Sequence, residues 1–377
     1  MKTSISNLPL QRPTWAEVNL DALHSNTLKI SKLVTPARIL AVIKADGYGH
    51  GAVAMAREFE KAGVPYFGTA TVEEALEIRQ AGISTPILVL GGMTPEQLPL
   101  LREYEFFPAV NTREFYDSLA TYVRSKGIRV HVHLKIDTGM GRLGMSEQET
   151  AEILRNPIPG IRIQGLFTHF ASADLPNDES MHAQIRSFNE FIKSFGAKIP
   201  DIHAANSAAI LNYPESHYNL VRPGLLLYGL SPCSPALDLE PVLTLKSKII
   251  ALRKIGPGQS IGYGRSFVAQ RDSLIATVPI GYSDGLRRRL SNRLKVEVKG
   301  AMCPIVGTIS MDLCMLDITD HPDVRLYDTV TFLGPGNGAW DWARLLDTIP
   351  YEILCLIGAR VPRVYYRDGK ICDVYYP

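Results

Sequence analysis

Short apolar segments alternate with amphipathic helical segments through the first 240 residues of the chain. The apolar segments end near Ile43, Thr69, Leu90, Val110, Ile136, His169, Ala205 and Val221. Capping patterns open two of the helical segments, Thr71-Val72-Glu73-Glu74 and Thr94-Pro95-Glu96-Gln97. Eight strands with helices between them favour a closed parallel (β/α)₈ barrel, and a doubly wound sheet is the alternative.

The pattern changes after Leu239. Short β-rich runs with turn residues between them replace the helical segments, and Arg367-Asp368-Gly369-Lys370 is typical of a hairpin turn. A chain of 377 residues, 46% of them hydrophobic, is long enough for two cores. We therefore predict a barrel domain over 12–240 and a mostly β domain over 241–377, with residues 1–11 available to pack against the second domain.

Composition argues against several functional classes. The net charge of +2 gives no electrostatic footprint for nucleic acid or for an anionic membrane. The segment Met1 to Trp15 lacks the apolar core of a signal peptide, and no later segment is apolar enough to span a bilayer. The five cysteines are scattered and form no C-x-x-C pair. We expect a cytoplasmic protein without a disulfide framework or zinc site.

Lys44 follows the first barrel strand in the sequence Lys44-Ala45-Asp46-Gly47-Tyr48-Gly49-His50-Gly51. The glycines of this turn leave little side-chain bulk, so a ligand can approach the backbone closely. Partial desolvation at a strand end lowers the pKa of a lysine and favours a nucleophilic amine. A lysine that merely extends into solvent is the alternative.

The segment Gly139-Met140-Gly141-Arg142-Leu143-Gly144 matches the G-x-G-x-x-G pattern of dinucleotide-binding turns. It lies in the fifth unit, however, and the next strand ends in Thr168-His169 without an acidic residue for a ribose. The alternative is that the glycines allow Arg142 to reach over the barrel mouth and bind a carboxylate or phenolate.

Alternation along the preceding strand places His131, His133, Lys135 and Asp137 on one face. We interpret them as interior polar residues that satisfy one another, and we predict no metal site because no further ligand has suitable spacing.

Several candidate residues follow the later strands, where (β/α)₈ enzymes build their active sites. They are His169, the pair Asn206 and Ser207, and the segment Arg222-Pro223-Gly224-Leu225. His169, Ser207, Arg222 and Gly224 lie on one face of the predicted barrel together with Lys44 and Arg142. A Schiff-base lysine, a phosphate pocket and an arginine suit pyridoxal phosphate, although other lysine chemistry is open.

Taken together, these segments and Gly262-Tyr263-Gly264 resemble the alanine racemases over almost the whole chain. The resemblance implies a pyridoxal 5′-phosphate enzyme with Lys44 bound covalently to the cofactor. The implied phosphate and ring contacts are Tyr48, Arg142, His169, Asn206, Ser207, Arg222, Gly224, Leu225 and Tyr351. Arg222 would face the pyridine nitrogen, and His169 would link it to Tyr263.

The resemblance also implies a two-base reaction that interconverts L-alanine and D-alanine and supplies D-alanine for peptidoglycan. Lys44 would act on the D-enantiomer, and Tyr263 of the partner subunit in a homodimer would act on the L-enantiomer. Arg142 and the backbone near Met311 would bind the substrate carboxylate. Lys135 matches a position that the family often modifies with carbon dioxide, and Ser310 replaces a cysteine found in some relatives.

Three other functions are compatible with parts of this pattern. A racemase for serine or for several amino acids would share the same residues. A fold-related decarboxylase of basic amino acids would carry an acidic residue where Arg222 lies. A non-catalytic carrier of pyridoxal phosphate would lack the second domain and Tyr263.

Overall fold

The computed structural model describes residues 12–195, 199–233 and 237–376. The chain divides into two compact units. The barrel unit comprises Leu23–Gly47 and Ala52–Glu240, and the β unit comprises the residues up to Ala22, Tyr48–Gly51 and the residues from Pro241 onward. The prediction for residues 1–11 lies outside the described residues.

The barrel unit contains the predicted closed barrel of eight parallel strands. In order they are β2 (Arg38–Val42), β3 (Tyr66–Thr69), β4 (Ile87–Val89), β5 (Phe107–Val110), β6 (Val130–Lys135), β7 (Ile161–Phe167), β8 (Asp201–Asn206) and β9 (Leu220–Arg222). Strand β2 pairs with both β3 and β9, which closes the barrel. The fold class is therefore confirmed, and the doubly wound alternative is wrong.

Helices connect the strands of the barrel unit. They are α1 (Leu20–Val34), which crosses the division between the units, α2 (Lys44–Gly49), which also crosses it, α3 (Ala52–Lys61), α4 (Val72–Gln80), α5 (Leu98–Tyr104), α6 (Arg113–Lys126), α7 (Glu147–Arg155), α8 (Glu179–Phe195) and α9 (Ser207–Asn212). The capping box predicted at Thr71 is present, since its hydroxyl accepts from the Glu74 amide. Apolar side chains such as Phe59 and Phe188 are fully buried between helices and strands.

A buried carboxylate joins four barrel strands near the point of closure. Asp201 on β8 pairs with Arg38 on β2 at 2.5 Å, and it accepts hydrogen bonds from Tyr66 and Gln164 at 3.1 and 2.8 Å. This anion is therefore satisfied entirely by neighbouring strands, and a structural role explains it.

The β unit is built on a seven-stranded sheet in the order β16-β15-β18-β10-β1-β19-β20. Its strands are β1 (Thr14–Asn19), β10 (Leu243–Lys248), β15 (Lys295–Val298), β16 (Ala301–Pro304), β18 (Thr329–Leu333), β19 (Arg363–Arg367) and β20 (Lys370–Tyr375). The hairpin turn predicted at Asp368-Gly369 connects β19 and β20, and both residues have positive φ.

Two smaller sheets and two helices complete the described part of the β unit. The strands are β11 (Ala251–Ile255), β14 (Ser273–Val278) and β17 (Cys314–Asp317) in one sheet, and β12 (Ser260–Ile261) and β13 (Phe267–Val268) in the other. The sequence pattern did not predict the helices α10 (Ala339–Leu346) and α11 (Pro350–Cys355).

The division of the chain differs from the predicted boundaries in two segments. Strand β1 pairs with β10 and β19, so residues from 12 to Ala22 group with the β unit rather than with the barrel. Tyr48–Gly51 also groups with the β unit, because Gly49 and His50 accept hydrogen bonds there from Arg363 and Tyr365. Local sequence patterns cannot reveal such long-range pairing.

Candidate active site

Lys44 begins a short turn with left-handed backbone geometry. The φ angles of Ala45, Asp46, Gly47, Tyr48 and Gly49 lie between 53° and 79°. Left-handed geometry costs about 1–2 kcal/mol for each residue other than glycine. The sequence indicated a glycine-rich turn, but it did not predict that three residues with side chains adopt this conformation. Strain of this kind concentrates at functional sites.

Two carboxylates stabilise the strained turn within the barrel unit. Glu74 accepts a hydrogen bond from the Ala45 amide at 2.6 Å, and Asp46 accepts one from the Ala52 amide at 2.7 Å. The exposed Lys44 side chain is therefore presented from a fixed backbone at the carboxyl end of β2.

Arg222 ends strand β9 and is buried, with 4% of its surface exposed. Its guanidinium donates to His203 Nδ1 at 2.8 Å, His169 Nδ1 at 3.0 Å and the carbonyls of Thr168 and Ala204 at 2.9 and 2.8 Å. All four acceptors are neutral groups. Burial alone lowers the pKa of Arg222 to about 9, and the side chain remains a cation at neutral pH.

His169 lies among cations. Burial and the positive charges of Arg222, Lys135, Arg142 and Lys44 hold the pKa of His169 well below its usual range, so the imidazole is neutral. Because Arg222 donates to Nδ1, the single proton of neutral His169 lies on Nε2. The carboxyl ends of strands β2, β6, β7 and β9 thus bring together the predicted residues Lys44, Arg142, His169 and Arg222.

Lys135 is the least expected of these cations, because only 5% of its surface is exposed. Burial and the nearby Arg222 and Arg142 lower the pKa of Lys135 to about 8, while Asp137 opposes this change. The amine lies 5.7 Å from the centre of the Phe167 ring. The predicted mutual satisfaction of the polar residues on β6 is wrong for His133, which bonds to His203 rather than to Lys135.

The glycine-rich loop after β6 is organised by Asp137. Its carboxylate accepts hydrogen bonds from the amides of Gly139, Met140 and Gly141 at 2.9–3.0 Å. Partial burial opposes ionisation, but these three amides keep the pKa of Asp137 below its ordinary value. The loop presents the exposed Arg142 at the mouth of a closed barrel, which supports the interpretation of an anion-binding arginine over dinucleotide binding.

Ser207 begins α9 beside the loop that follows β9. Its hydroxyl accepts hydrogen bonds from the Gly224 amide at 2.9 Å and the Leu226 amide at 3.4 Å. The Asn206 carboxamide oxygen caps α9 by accepting from the amides of Ala208 and Ala209. The structure therefore places Ser207 and Gly224 together, whereas the side-chain oxygen of Asn206 is engaged in helix capping.

The β unit holds four further predicted residues. Tyr48 is buried, and its ring centroid lies 6.1 Å from that of Tyr351 on α11. Tyr263 is 72% exposed and lies in a single 3₁₀ turn, where Thr308 donates to its carbonyl at 2.8 Å. Met311 is also exposed. Tyr48 and Tyr351, which are both predicted to contact the cofactor phosphate, thus lie next to each other. The side chain of Tyr263, the predicted catalytic residue, is exposed.

The loop before Met311 shows what Ser310 does. The Ser310 hydroxyl donates to the Leu313 carbonyl at 2.8 Å and accepts from the Leu313 amide at 3.1 Å. The amides of Tyr282 and Ser283 also donate to the carbonyls of Ser310 and Met311, each at 3.1 Å. Ser310 therefore closes the turn that fixes the Met311 backbone.

The sequence did not single out His203, which bonds directly to Arg222. It is the third residue of a short apolar strand, and a lone histidine there is more often a core residue. Its position on β8, the strand that pairs with the strand of Arg222, reveals the contact only in the structure.

The cationic face suits a phosphorylated aldehyde cofactor. It offers an exposed lysine, a hydroxyl beside loop amides for phosphate, and a buried guanidinium whose acceptors are all neutral. Among the described residues, no cluster of histidine, cysteine and carboxylate side chains could hold a metal ion. In the same part of the chain, no helix is both long and apolar enough to cross a bilayer.

Comparison with known proteins gives consistent matches. The model for "Alanine racemase, N-terminal domain" matches residues 18–232, and the model for "Alanine racemase, C-terminal domain" matches residues 242–365. An alanine racemase of Sorangium cellulosum is 45% identical over 94% of this chain and 99% of its own length.

Solved structures agree with these matches. The alanine racemase of Clostridium difficile 630 superposes with a TM-score of 0.92 at 38% identity, covering 97% of this chain and 99% of that one. The alanine racemase of Bartonella henselae, solved with covalently bound pyridoxal phosphate, gives 0.88 at 29% identity over 95% of this chain and all of that one.

Proposed function

The chain belongs to the alanine racemase family, and from this premise we propose that it interconverts L-alanine and D-alanine with pyridoxal 5′-phosphate. The observation that carries the proposal is the buried Arg222, whose acceptors among the described residues are all neutral and which lies with Lys44 and Arg142 around His169. We further propose that the protein works in the cytoplasm and supplies D-alanine for peptidoglycan.

The residues of the barrel unit have matching roles for this cofactor. Lys44 would hold it covalently, and Ser207 with the amides at Gly224 and Leu225 would hold its phosphate. Asn206 would support this pocket by capping α9. When bound, pyridoxal phosphate acidifies the Cα–H of an amino acid attached to it.

Arg222 would donate a hydrogen bond to the ring nitrogen. A guanidinium does not give up its proton near neutral pH, so it holds that nitrogen unprotonated. An acidic residue at this place would instead protonate the nitrogen. Arg222 therefore favours racemisation over decarboxylation, because it limits the electron-withdrawing power of the ring.

Two proton carriers on opposite faces of the substrate are needed for racemisation. Lys44 would remove and return the proton on one face, and the partner subunit's Tyr263 would serve the other face. A homodimer with composite sites follows from this assignment. The Nε2–H of His169 is available to donate to the phenol oxygen, which would stabilise its anion.

Arg142 and the backbone amide near Met311 would bind the substrate carboxylate. Arg142 is exposed on the loop that Asp137 organises, and the Met311 backbone is fixed by Ser283. Lys135 would be carbamylated, since its lowered pKa favours the neutral amine that reacts with carbon dioxide. The resulting anion would offset the positive charges of Arg142 and Arg222, and an intact mass equal to the bare chain would contradict this step.

The direct test measures proton exchange and product stereochemistry. The purified protein, loaded with pyridoxal phosphate, is incubated in D₂O with each enantiomer of alanine, serine, lysine and arginine. We expect deuterium at Cα and inversion with alanine. Carbon dioxide release would indicate a decarboxylase, binding without exchange would indicate a carrier, and equal rates for serine would indicate a broader racemase.

Two variants test the assigned proton carriers. Lys44→Ala should abolish the covalently bound chromophore, whereas Lys61→Ala, a change at an exposed lysine on α3, should retain it.

Tyr263→Phe should slow proton abstraction from L-alanine far more than it weakens cofactor binding. Tyr327→Phe, an exposed tyrosine elsewhere in the β unit, is its matched control. Equal loss of exchange and cofactor binding in Tyr263→Phe would mean that the tyrosine is structural.

A further inference from the structure

Two histidines extend the hydrogen bonds of Arg222 into the barrel interior. His203 on β8 and His133 on β6 are both fully buried. Arg222 Nη1 lies 2.8 Å from His203 Nδ1, and His203 Nε2 lies 2.8 Å from His133 Nδ1. The far nitrogen of His133, Nε2, has no hydrogen-bond partner among the described residues.

This chain of contacts permits one arrangement of protons. A guanidinium can only donate, so His203 Nδ1 must offer a lone pair and the proton of neutral His203 must lie on Nε2. That proton is donated to His133 Nδ1, and therefore His133 carries its own proton on Nε2. A change of tautomer or protonation at His203 would place an N–H group against the guanidinium.

The surroundings of the two rings keep them neutral and fixed. Burial lowers the pKa of both histidines. The pKa of His133 falls to about 4, because burial and the charges of Arg222 and His131 outweigh the opposing effect of Asp201. The His203 ring stacks on Phe167 with centroids 4.7 Å apart, and Arg222 lies over the same ring.

Gly165 on β7 makes room for the deeper histidine. A Cβ atom at position 165 would lie 2.1 Å from His133 Nδ1, the atom that accepts from His203. A side chain at this position would therefore displace the imidazole from the hydrogen bond. The barrel wall is shaped to admit His133 in one position.

We propose that His203 and His133 are positioning residues that hold the Arg222 guanidinium against the cofactor ring nitrogen. This inference rests on the proposed function. His203 presents a lone pair to Arg222, and His133 fixes the tautomer of His203 by accepting its Nε2–H. Without this acceptor the Nη1 group loses its partner, so the guanidinium tilts about Nη2, which the other three acceptors still hold, and the ring nitrogen is open to protonation by water.

The measurable consequence is a change in where the substrate proton returns. In racemisation it returns to Cα. In abortive transamination it returns to the aldehyde carbon of the cofactor instead, and hydrolysis by water then releases pyruvate and pyridoxamine phosphate. No external oxidant is needed, because the substrate is oxidised as the cofactor is reduced.

The test compares variants with and without an acceptor. In the holoenzyme, His203→Leu and His133→Leu should raise pyruvate formation per racemisation turnover by about tenfold, the worth of one hydrogen bond to a charged group. His203→Asn retains an oxygen near the Nδ1 position and should stay close to the parent. His131→Asn, on the same strand but outside the chain of contacts, is the control. An unchanged ratio of pyruvate formation to racemisation in both leucine variants would overturn the proposal.

A second readout does not depend on turnover. In ¹⁵N-histidine spectra of the cofactor-free protein, His203 and His133 should both show the Nε2–H tautomer, and His133→Leu should introduce exchange between tautomers at His203. An Nδ1–H tautomer at His203 would refute the inference. If Arg222→Lys leaves pyruvate formation per racemisation turnover unchanged, the proposed contact between Arg222 and the ring nitrogen is wrong. The spectra then test by themselves whether the two histidines position Arg222.

Discussion

Two buried charges, one in each unit, are satisfied in opposite ways. In the β unit, the fully buried Asp284 pairs with Arg12 and Arg360, each at 2.7 Å, and accepts from the Gly281 amide at 3.0 Å. In the barrel unit, the acceptors of Arg222 within the described part of the chain are imidazole nitrogens and carbonyl oxygens. The charge of Asp284 is thus neutralised by two opposite charges, whereas the charge of Arg222 is surrounded by neutral hydrogen-bond acceptors.

The difference indicates what each charge is for. Two positive charges beside a buried carboxylate offset the cost of removing it from water, and their net effect is on structure. A buried cation with neutral partners retains a field that can act on a further group, and such sites concentrate at active centres. We therefore expect substitutions at Arg222 to affect catalysis and substitutions at Asp284 to affect stability.

The largest expected effect follows from replacing Arg222 with methionine. Removal of this donor should lower kcat/KM for alanine by about 1,000-fold. The free energy of unfolding should stay level or rise, because an apolar side chain of similar length relieves the cost of a buried charge. Racemisation rates and chemical unfolding of the same preparation would check both. A large loss of stability would break the comparison.

The reverse result is expected for Asp284→Asn. Arg12 and Arg360 would lose the charge of their shared partner, and the free energy of unfolding should fall by about 3 kcal/mol because two hydrogen bonds between charged groups are weakened. The kcat of the folded fraction should change far less than in Arg222→Met. A urea titration with activity corrected for the folded fraction measures both quantities. Unaltered stability would show that this pair is not structural.

Acid titration sharpens the contrast within the barrel interior. The pKa of His133 is about 4 in the folded state and 6.5 in the unfolded chain. Above pH 6.5 both states are neutral at His133, and between pH 6.5 and 4 only the unfolded chain binds the proton. This residue should therefore cost about 3 kcal/mol of stability as the pH falls through that range.

The variant His133→Leu should not show this part of the fall in unfolding free energy at acid pH. Unfolding free energies of parent and variant, measured from pH 7 to 4, would give the difference directly. Parallel slopes would mean that His133 becomes protonated in the folded state near its ordinary pKa, and the proton arrangement deduced for His203 would lose its support.

The smallest effect is expected at an exposed ion pair. Arg113 and Asp117 lie one turn apart on α6, 3.0 Å from each other, and both are accessible to water. Arg113→Ala should change the free energy of unfolding by less than about 0.5 kcal/mol and leave racemisation unchanged. A larger change would mean that the exposure of a charged side chain does not predict its contribution to the stability of this protein.

The sequence was informative where the signal is local. Alternating apolar and amphipathic segments predicted the eight barrel strands, and each strand ends within two residues of the predicted place. Position at the ends of those strands also predicted that Lys44, Arg142, His169 and Arg222 would lie on one face. The same reasoning missed α10 and α11, whose short apolar faces are hard to distinguish from strands.

Local patterns decided the barrel, the β-rich C-terminal region and the lysine at the first strand end, because periodicity and turn chemistry act between residues near in sequence. Only the tertiary structure decided that β1 and Tyr48–Gly51 belong with the β unit, that the turn at Ala45 is left-handed, and that His203 and His133 stand behind Arg222. These features depend on contacts between residues distant in the chain, and the energy of such contacts is set by burial and hydrogen-bond geometry that no single segment contains.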